Sequence, residues 1–147
     1  MLPISKCYLP VRPVSLTNGA TNAYELSVDL QGYDYAEIVA FGDTANVVSN
    51  TLSVLKLQEA DVTNSTSFAD VTAFITSNYT IATNAYTSTS NANLWYFGVD
   101  CRYRKRYLRV LMSPQTTQIV GAVALLKKYE QAPTSVTKAN VLNQVIG

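Results

Sequence analysis

From Tyr24 to Leu126 the apolar residues arrive in strand-length bursts separated by turn-forming clusters. No stretch ahead of the C-terminal tail carries the repeat of an amphipathic helix. Tyr24, Leu26, Val28 and Leu30 alternate with Glu25, Ser27 and Asp29, which predicts a strand with one face in and one face wet. Tyr35 to Phe41 is apolar enough to be buried on both faces. Leu52 to Glu59, Leu94 to Val99, Arg106 to Met112 and Thr117 to Leu126 read as further strands, Val71 to Ile75 as a short one, and Gly121 as a bend or bulge. About seven or eight short strands with turn signals between them predict an all-β, single-domain antiparallel β-sandwich or jelly roll.

The 147 residues suffice for one domain, and a chain of that length buries about two-thirds of its unfolded surface without staples. The ends read differently from the middle. Pro3, Pro10 and Pro13 forbid a helix interior over residues 1–20, leaving an extended N-terminal arm. Its apolar residues, Ile4, Tyr8, Leu9, Val11 and Val14, need something to lie on, either the chain's own domain or a neighbouring subunit. Residues 21–130 form the predicted domain. Residues 131–147 leave it through Pro133 as a C-terminal arm or short helix that carries Val141 and Leu142. Residues 76–93, rich in Thr, Ser and Asn, read as a long surface excursion.

Charged residues make up 14% of the chain, against an average of about 25%. Their distribution is lopsided. Residues 1–71 hold three basic residues and eight acids, a net −5; residues 72–147 hold eight basic residues and two acids, a net +6. Such an asymmetry either pairs subunits and partners or neutralises itself within one fold. There is no histidine, which removes Ser-His-Asp and Cys-His arrangements and the commonest metal ligand. Cys7 and Cys101 have no zinc spacing, and the six glycines form no phosphate loop. Glu25 with Asp29 and Glu59 with Asp61 read as solvated carboxylates rather than a glycosidase pair. No enzyme activity and no cofactor is expected. No stretch approaches a membrane span of about 20 apolar residues.

The sharpest feature is basic. Arg102, Arg104, Lys105, Arg106 and Arg109 lie close together with Tyr103 and Tyr107 between them. Guanidinium forks suit the carboxylates of a protein partner, whereas the near-neutral net charge of +1 argues against nucleic acid. The remaining reading is a charged, wet hairpin that resists edge-to-edge pairing.

Two segments carry a resemblance. Leu52-Ser53-Val54-Leu55-Lys56-Leu57-Gln58-Glu59-Ala60-Asp61, followed by Ser67-Phe68-Ala69-Asp70-Val71, resembles a stretch of small tailed-bacteriophage virion proteins. Lys105-Arg106-Tyr107-Leu108-Arg109-Val110, then Gly121-Ala122-Val123-Ala124-Leu125-Leu126 and a tail with Pro133, resembles their ending, and Gly32-Tyr33-Asp34-Tyr35-Ala36-Glu37-Ile38 resembles their turn and strand. Proteins of this kind are jelly-roll or β-sandwich decoration (cement) proteins on the capsid exterior. The resemblance implies a protein made in the host cytoplasm that ends on the virion. It would bind the major capsid protein and copies of itself, as a dimer or trimer, without membrane or nucleic acid. Ile4, Tyr8, Leu9, Val11, Arg102, Arg104, Arg106, Val141 and Leu142 are the expected contact residues. A tail, neck or fibre part, a jelly-roll capsid subunit, or a carbohydrate-binding module that stacks sugars on Trp95 and Tyr96 are the alternatives.

Overall fold

The computed structural model describes residues 5–16, 26–42, 52–75, 93–114, 117–128 and 143–146. Its strands are β1 (Ser5–Leu16), β2 (Val28–Asp29), β3 (Tyr35–Gly42), β4 (Leu52–Ala60), β5 (Ala69–Asp70), β6 (Asn93–Asp100), β7 (Tyr107–Pro114), β8 (Gln118–Lys127) and β9 (Asn143–Ile146). They form two sheets, ordered β1-β8-β3-β6-β9 and β2-β7-β4-β5. The antiparallel pairs β1–β8, β2–β7, β3–β6 and β4–β5 each sum to nine. The first eight strands are thus one long antiparallel ribbon, closed at the β4–β5 end and rolled so that β3 meets β8 and β4 meets β7. This is the strand order of a jelly roll, two Greek keys wrapped into two facing sheets.

Period-two alternation decides what lies between the sheets. Ala36, Ile38 and Ala40 of β3, Trp95, Phe97 and Val99 of β6, and Val120, Ala122, Ala124 and Leu126 of β8 face inward and are buried. They meet Leu55 and Leu57 of β4 and Leu108, Val110 and Met112 of β7 in one cluster. Small and large side chains alternate across the first sheet: Ala40 pairs with Trp95 on one side and Ala122 on the other. Such interdigitation fills a core at the density of an organic crystal. Burial on both faces, expected from Tyr35 to Phe41, holds for Tyr35 to Ile38, whereas Val39 and Phe41 are half-buried.

The N-terminal residues do not stand away from the domain as an arm. Ser5–Leu16 is the edge strand of the first sheet, paired antiparallel with β8, so the apolar segment lies on its own domain. Pro10 and Pro13 fall where the β1–β8 register shifts, between Tyr8 and Val11 and between Val11 and Val14. Proline is admitted there because an edge strand or bulge spares it a ladder hydrogen bond. Val11, expected to touch a partner, pairs with Ala122 and is 3% exposed, which removes it from any docking surface. Of the predicted strand from Tyr24 to Leu30, Tyr24 and Glu25 lie outside the described residues, and among the rest Val28–Asp29 pairs as a strand; Val28 and Leu30 are buried and Leu26 is exposed. Val71 to Ile75 is not a strand but holds a 3-10 turn over Thr72–Phe74, which drops Phe74 into the core against Phe97. The C-terminal tail adds β9, a strand rather than a helix, parallel to β6. Ile4, Val141, Leu142 and the excursion over residues 76–92 lie outside the described residues.

The expected irregularity at Gly121 falls on one side of β8: the register is unbroken against Phe41 and its neighbours in β3, but shifts against β1 between Ala122 and Val120. A second reason for glycine is steric: a Cβ there would lie 2.4 Å from the Phe41 ring. At one end of the core Gln118 is buried with neither end of its amide hydrogen-bonded, beside Trp95, whose indole N–H is also without a partner among the described residues. A buried amide without partners costs about 1–3 kcal/mol. Gln118→Leu is therefore expected to raise stability by about 1 kcal/mol in urea unfolding, and a loss of that size would mean the amide is satisfied.

Candidate interaction surfaces

The basic cluster sits where β6 turns into β7. Asp100 ends β6, and its side chain accepts from the Arg102 backbone N–H, starting a 3-10 turn over Cys101–Tyr103. β7 begins only at Tyr107. Strand alternation therefore does not govern residues 102–106 and does not sort Arg102, Arg104 and Arg106 onto one strand face.

Each basic residue meets an intramolecular partner. Arg102 grips Asp100 with both arms of its fork, at 2.9 and 2.6 Å. Arg106 does the same to Asp29 of β2, at 3.2 and 2.9 Å. Arg104 comes within 3.9 Å of Glu59 and Lys105 within 3.7 Å of Asp61, at the end of β4, while the Lys105 backbone N–H donates to Glu59. Arg109 donates to Gln58 at 2.8 Å and lies 4.3 Å over the ring of Phe68. Lys127 pairs with Glu37, which also accepts from the Tyr96 hydroxyl at 3.0 Å. Asp29, Glu37, Glu59 and Asp61 belong to the acidic half; Arg106, Lys127, Arg104 and Lys105 belong to the basic half. The two halves thus neutralise each other within the fold.

These pairs set the acid response. The Arg106 guanidinium holds the Asp29 carboxyl below the usual carboxylate range, as Arg102 does for Asp100 and as Lys56, with Gln58, does for Asp70. A carboxyl lowered in the folded state favours folding above its unfolded value near pH 4, and that contribution is lost as pH falls through the folded value. The pairs are partly exposed, so each contribution is small and screened by salt. The melting temperature should therefore fall below pH 4, and Asp29→Asn should make that fall shallower; an unchanged acid limb would show the pairs to be without thermodynamic effect.

Leu30, Gln31, Gly32, Tyr33, Cys101, Arg104, Lys105 and Arg106 line an open cleft of about 370 Å³ beside the cluster. Gly32 shapes its rim with a positive φ of 85° in the β2–β3 turn. Cys101 at its floor is buried and Cys7 is exposed, and both thiols are free. Burial pushes the Cys101 thiol up to about 12, leaving essentially no thiolate at neutral pH. A thiol reagent should thus label one cysteine, Cys7, in the native protein and two after unfolding. Rapid native labelling of both would place Cys101 in contact with solvent.

The outer faces of the two sheets differ. On the second sheet Lys56, Gln58, Arg109 and Asp70 form a connected polar network. On the first sheet β8 is apolar on its outward face too. Ile119 is 47% exposed and Leu125, paired with Cys7, 36%. Leu9 of β1 is 41% exposed, and Leu26, whose backbone N–H donates to Pro10, is 57% exposed. Among the described residues, Leu9 is the one expected contact residue that is an exposed large hydrophobic. Tyr8 is half-buried against the core, with the Lys6 ammonium 4.6 Å over its ring. The outward row of β8 was legible in the sequence, since Ile119, Val123 and Leu125 interrupt the polar half of the alternation. Trp95 and Tyr96 are each 1% exposed, so neither offers a ring face to a sugar.

Comparison with protein-family models, with curated proteins and with solved structures gives no significant match.

Proposed function

We propose that this protein is a structural component of a tailed-phage virion, one that binds the outside of the capsid and strengthens contacts between major capsid subunits. The observation that carries this reading is the apolar outward row of β8, with Ile119 and Leu125 exposed, beside the edge strand β1, on which Leu9 is exposed and against which Leu26, also exposed, places its backbone N–H at Pro10. An outward sheet face is ordinarily polar, and a contiguous apolar stretch marks a surface that another protein covers. The jelly roll is an architecture that recurs in viral capsid proteins, and the sequence resemblance to virion proteins points the same way. The arginine cluster has a different part in this reading: its forks are engaged by Asp29 and Asp100, so it braces the β2, β4 and β7 ends rather than gripping the shell. Many copies on a repeating lattice multiply a modest contact into a durable one.

Co-sedimentation of the purified protein with undecorated capsids tests this. Saturation at a fixed number of copies per capsid, with weak dependence on salt, is the expected result. Sedimentation of the protein alone as closed particles would make it a shell subunit instead, and absence of binding would reject the capsid as partner.

A further inference from the structure

Two backbone segments frame the cleft beside the basic cluster, and they are pinned together at both ends. The Leu30 N–H donates to the Arg106 carbonyl at 2.8 Å, and the Cys101 N–H donates to the Asp34 carbonyl at 2.9 Å. Between these two bonds the segments part. On one side a tight turn closes with the Tyr33 N–H on the Leu30 carbonyl at 3.1 Å. Its third residue is Gly32, at the positive φ of 85° that a type II turn requires there. On the other side the 3-10 turn over Cys101–Tyr103 closes with the Arg104 N–H on the Cys101 carbonyl at 3.2 Å. Each wall is hydrogen-bonded within itself and to the other wall at its ends, so the opening between them is preformed. Its volume of about 370 Å³ falls within the range of roughly 300–1,000 Å³ that small-molecule sites occupy.

The charged residues that line the cleft are all cations, Arg104, Lys105 and Arg106; no Asp or Glu contributes to its wall. They are not equally engaged. Arg106 commits Nε and one Nη to Asp29. Glu59 accepts from the Lys105 backbone N–H, and Arg104 Nη1 stands 3.9 Å from it, too far for a hydrogen bond. Lys105 Nζ stands 3.7 Å from Asp61, again beyond hydrogen-bond range. Arg104 Nε is shut off from solvent and has no hydrogen-bond partner among the described residues. A guanidinium is always charged and carries five N–H donors. Native folds rarely leave a buried donor of a charged group without an acceptor, because the lost hydration is then uncompensated. Arg104 is thus a cation beside a preformed cleft with its hydrogen bonds unmade, and the cleft is where an acceptor fits. Leu30 and the half-buried Tyr33 give the facing wall an apolar side.

We propose that this cleft is a binding site for a small oxyanion, a carboxylate or phosphate group, held by the Arg104 guanidinium with Lys105 at its mouth. The planar fork of arginine takes two oxygens of such a group at once, and a turn of the side chain away from Glu59 brings Nε into that fork. Lys105 adds a point charge, and Arg106, fixed on Asp29, adds field without a free fork. A group bound here ties the β2–β3 turn to the β6–β7 turn where the two segments part, so binding to the folded state also stabilises it. Anion binding at this end of the domain requires nothing of the capsid contact, which involves the outward row of β8.

Nuclear magnetic resonance of the isotope-labelled full chain, titrated with sodium phosphate and separately with sodium acetate at an ionic strength held constant by sodium chloride, tests the site. The backbone amides of Gly32, Tyr33 and Lys105 should shift along one saturable curve in the millimolar range with at least one of the two anions, and the tighter of the two identifies the head group. Arg104→Gln should weaken that binding about ten-fold or more, the loss of a charge-assisted pair of hydrogen bonds. Arg102→Gln, which removes a fork that grips Asp100 outside the cleft wall, should leave it unchanged. If Arg104→Gln does not fold, the parent protein still decides: its melting temperature should rise with the binding anion along the same saturation curve, and not with chloride. Shifts that grow without saturating, that spread equally to the surroundings of Lys56 and Lys127, or that persist undiminished in Arg104→Gln would reduce the effect to diffuse screening and overturn the site.

Discussion

Phe97→Ala should cost about 3–5 kcal/mol, a large share of the roughly 5–15 kcal/mol that holds a domain together. Phe97 is 1% exposed and pairs with Ile38 across the first sheet. Its ring stands nearly perpendicular to that of Phe74, with centroids 5.8 Å apart. Phe74 hangs from the 3-10 turn that follows β5, so this contact ties the connection leaving the second sheet to the middle of the first. Truncation empties the space of an aromatic ring and removes the edge-to-face contact, which adds about 0.5–1.5 kcal/mol to the burial term. Urea unfolding at 25 °C measures the loss as a lower midpoint at constant slope. A loss below about 1 kcal/mol would mean that the site collapses freely and that Phe97 is not a packed core residue.

The second large effect is steric. Gly121→Ala places a methyl 2.4 Å from Cζ and 2.8 Å from Cε2 of Phe41, distances that no Cβ tolerates. The Phe41 ring lies across the glycine on the outer face of the first sheet and must leave its rotamer. A cost of about 1–3 kcal/mol is expected. The double-mutant cycle isolates the cause. With Phe41→Ala already present, Gly121→Ala should be neutral or mildly stabilising, because glycine within a strand is unfavourable once nothing lies over it. Equal costs in both backgrounds would show that the ring does not dictate the glycine.

Strands β3, β4, β6, β7 and β8 were legible in the sequence because the core selects their inward residues directly, and an apolar run of strand length has few other uses. β1 was hidden by its prolines, which read as an arm until one sees that both fall at register shifts on an edge. The run from Val71 to Ile75 reads as a strand by composition; Phe74, reaching a ring 23 positions away in sequence, makes it a turn. Pairing order separates a jelly roll from any other sandwich, and that order is non-local: β1 and β8 meet from opposite ends of the chain.

The surfaces show the same limit. Arg106 looked free because its partner, Asp29, is 77 positions away. The net −5 and +6 of the two halves was the trace of that pairing, but composition cannot distinguish charges that meet inside one fold from charges that wait for another. The exposed row of β8 was visible as an alternation without its polar half. It became a surface only when β1, and not a further strand, was found beside it at the edge.

Binding to undecorated capsids sets these two surfaces against each other. Ile119→Asp with Leu125→Asp alters the outward row of β8 and leaves the core face intact. Arg102→Ala with Arg104→Ala removes forks whose partners are within the molecule. The first variant, folded by circular dichroism, should lose capsid binding by about ten-fold or more, which corresponds to about 1.4 kcal/mol. The second should bind within a few-fold of the parent protein and with the same weak salt dependence. Normal binding by the aspartate variant, with loss of binding and of salt sensitivity in the arginine variant, would contradict docking through β8.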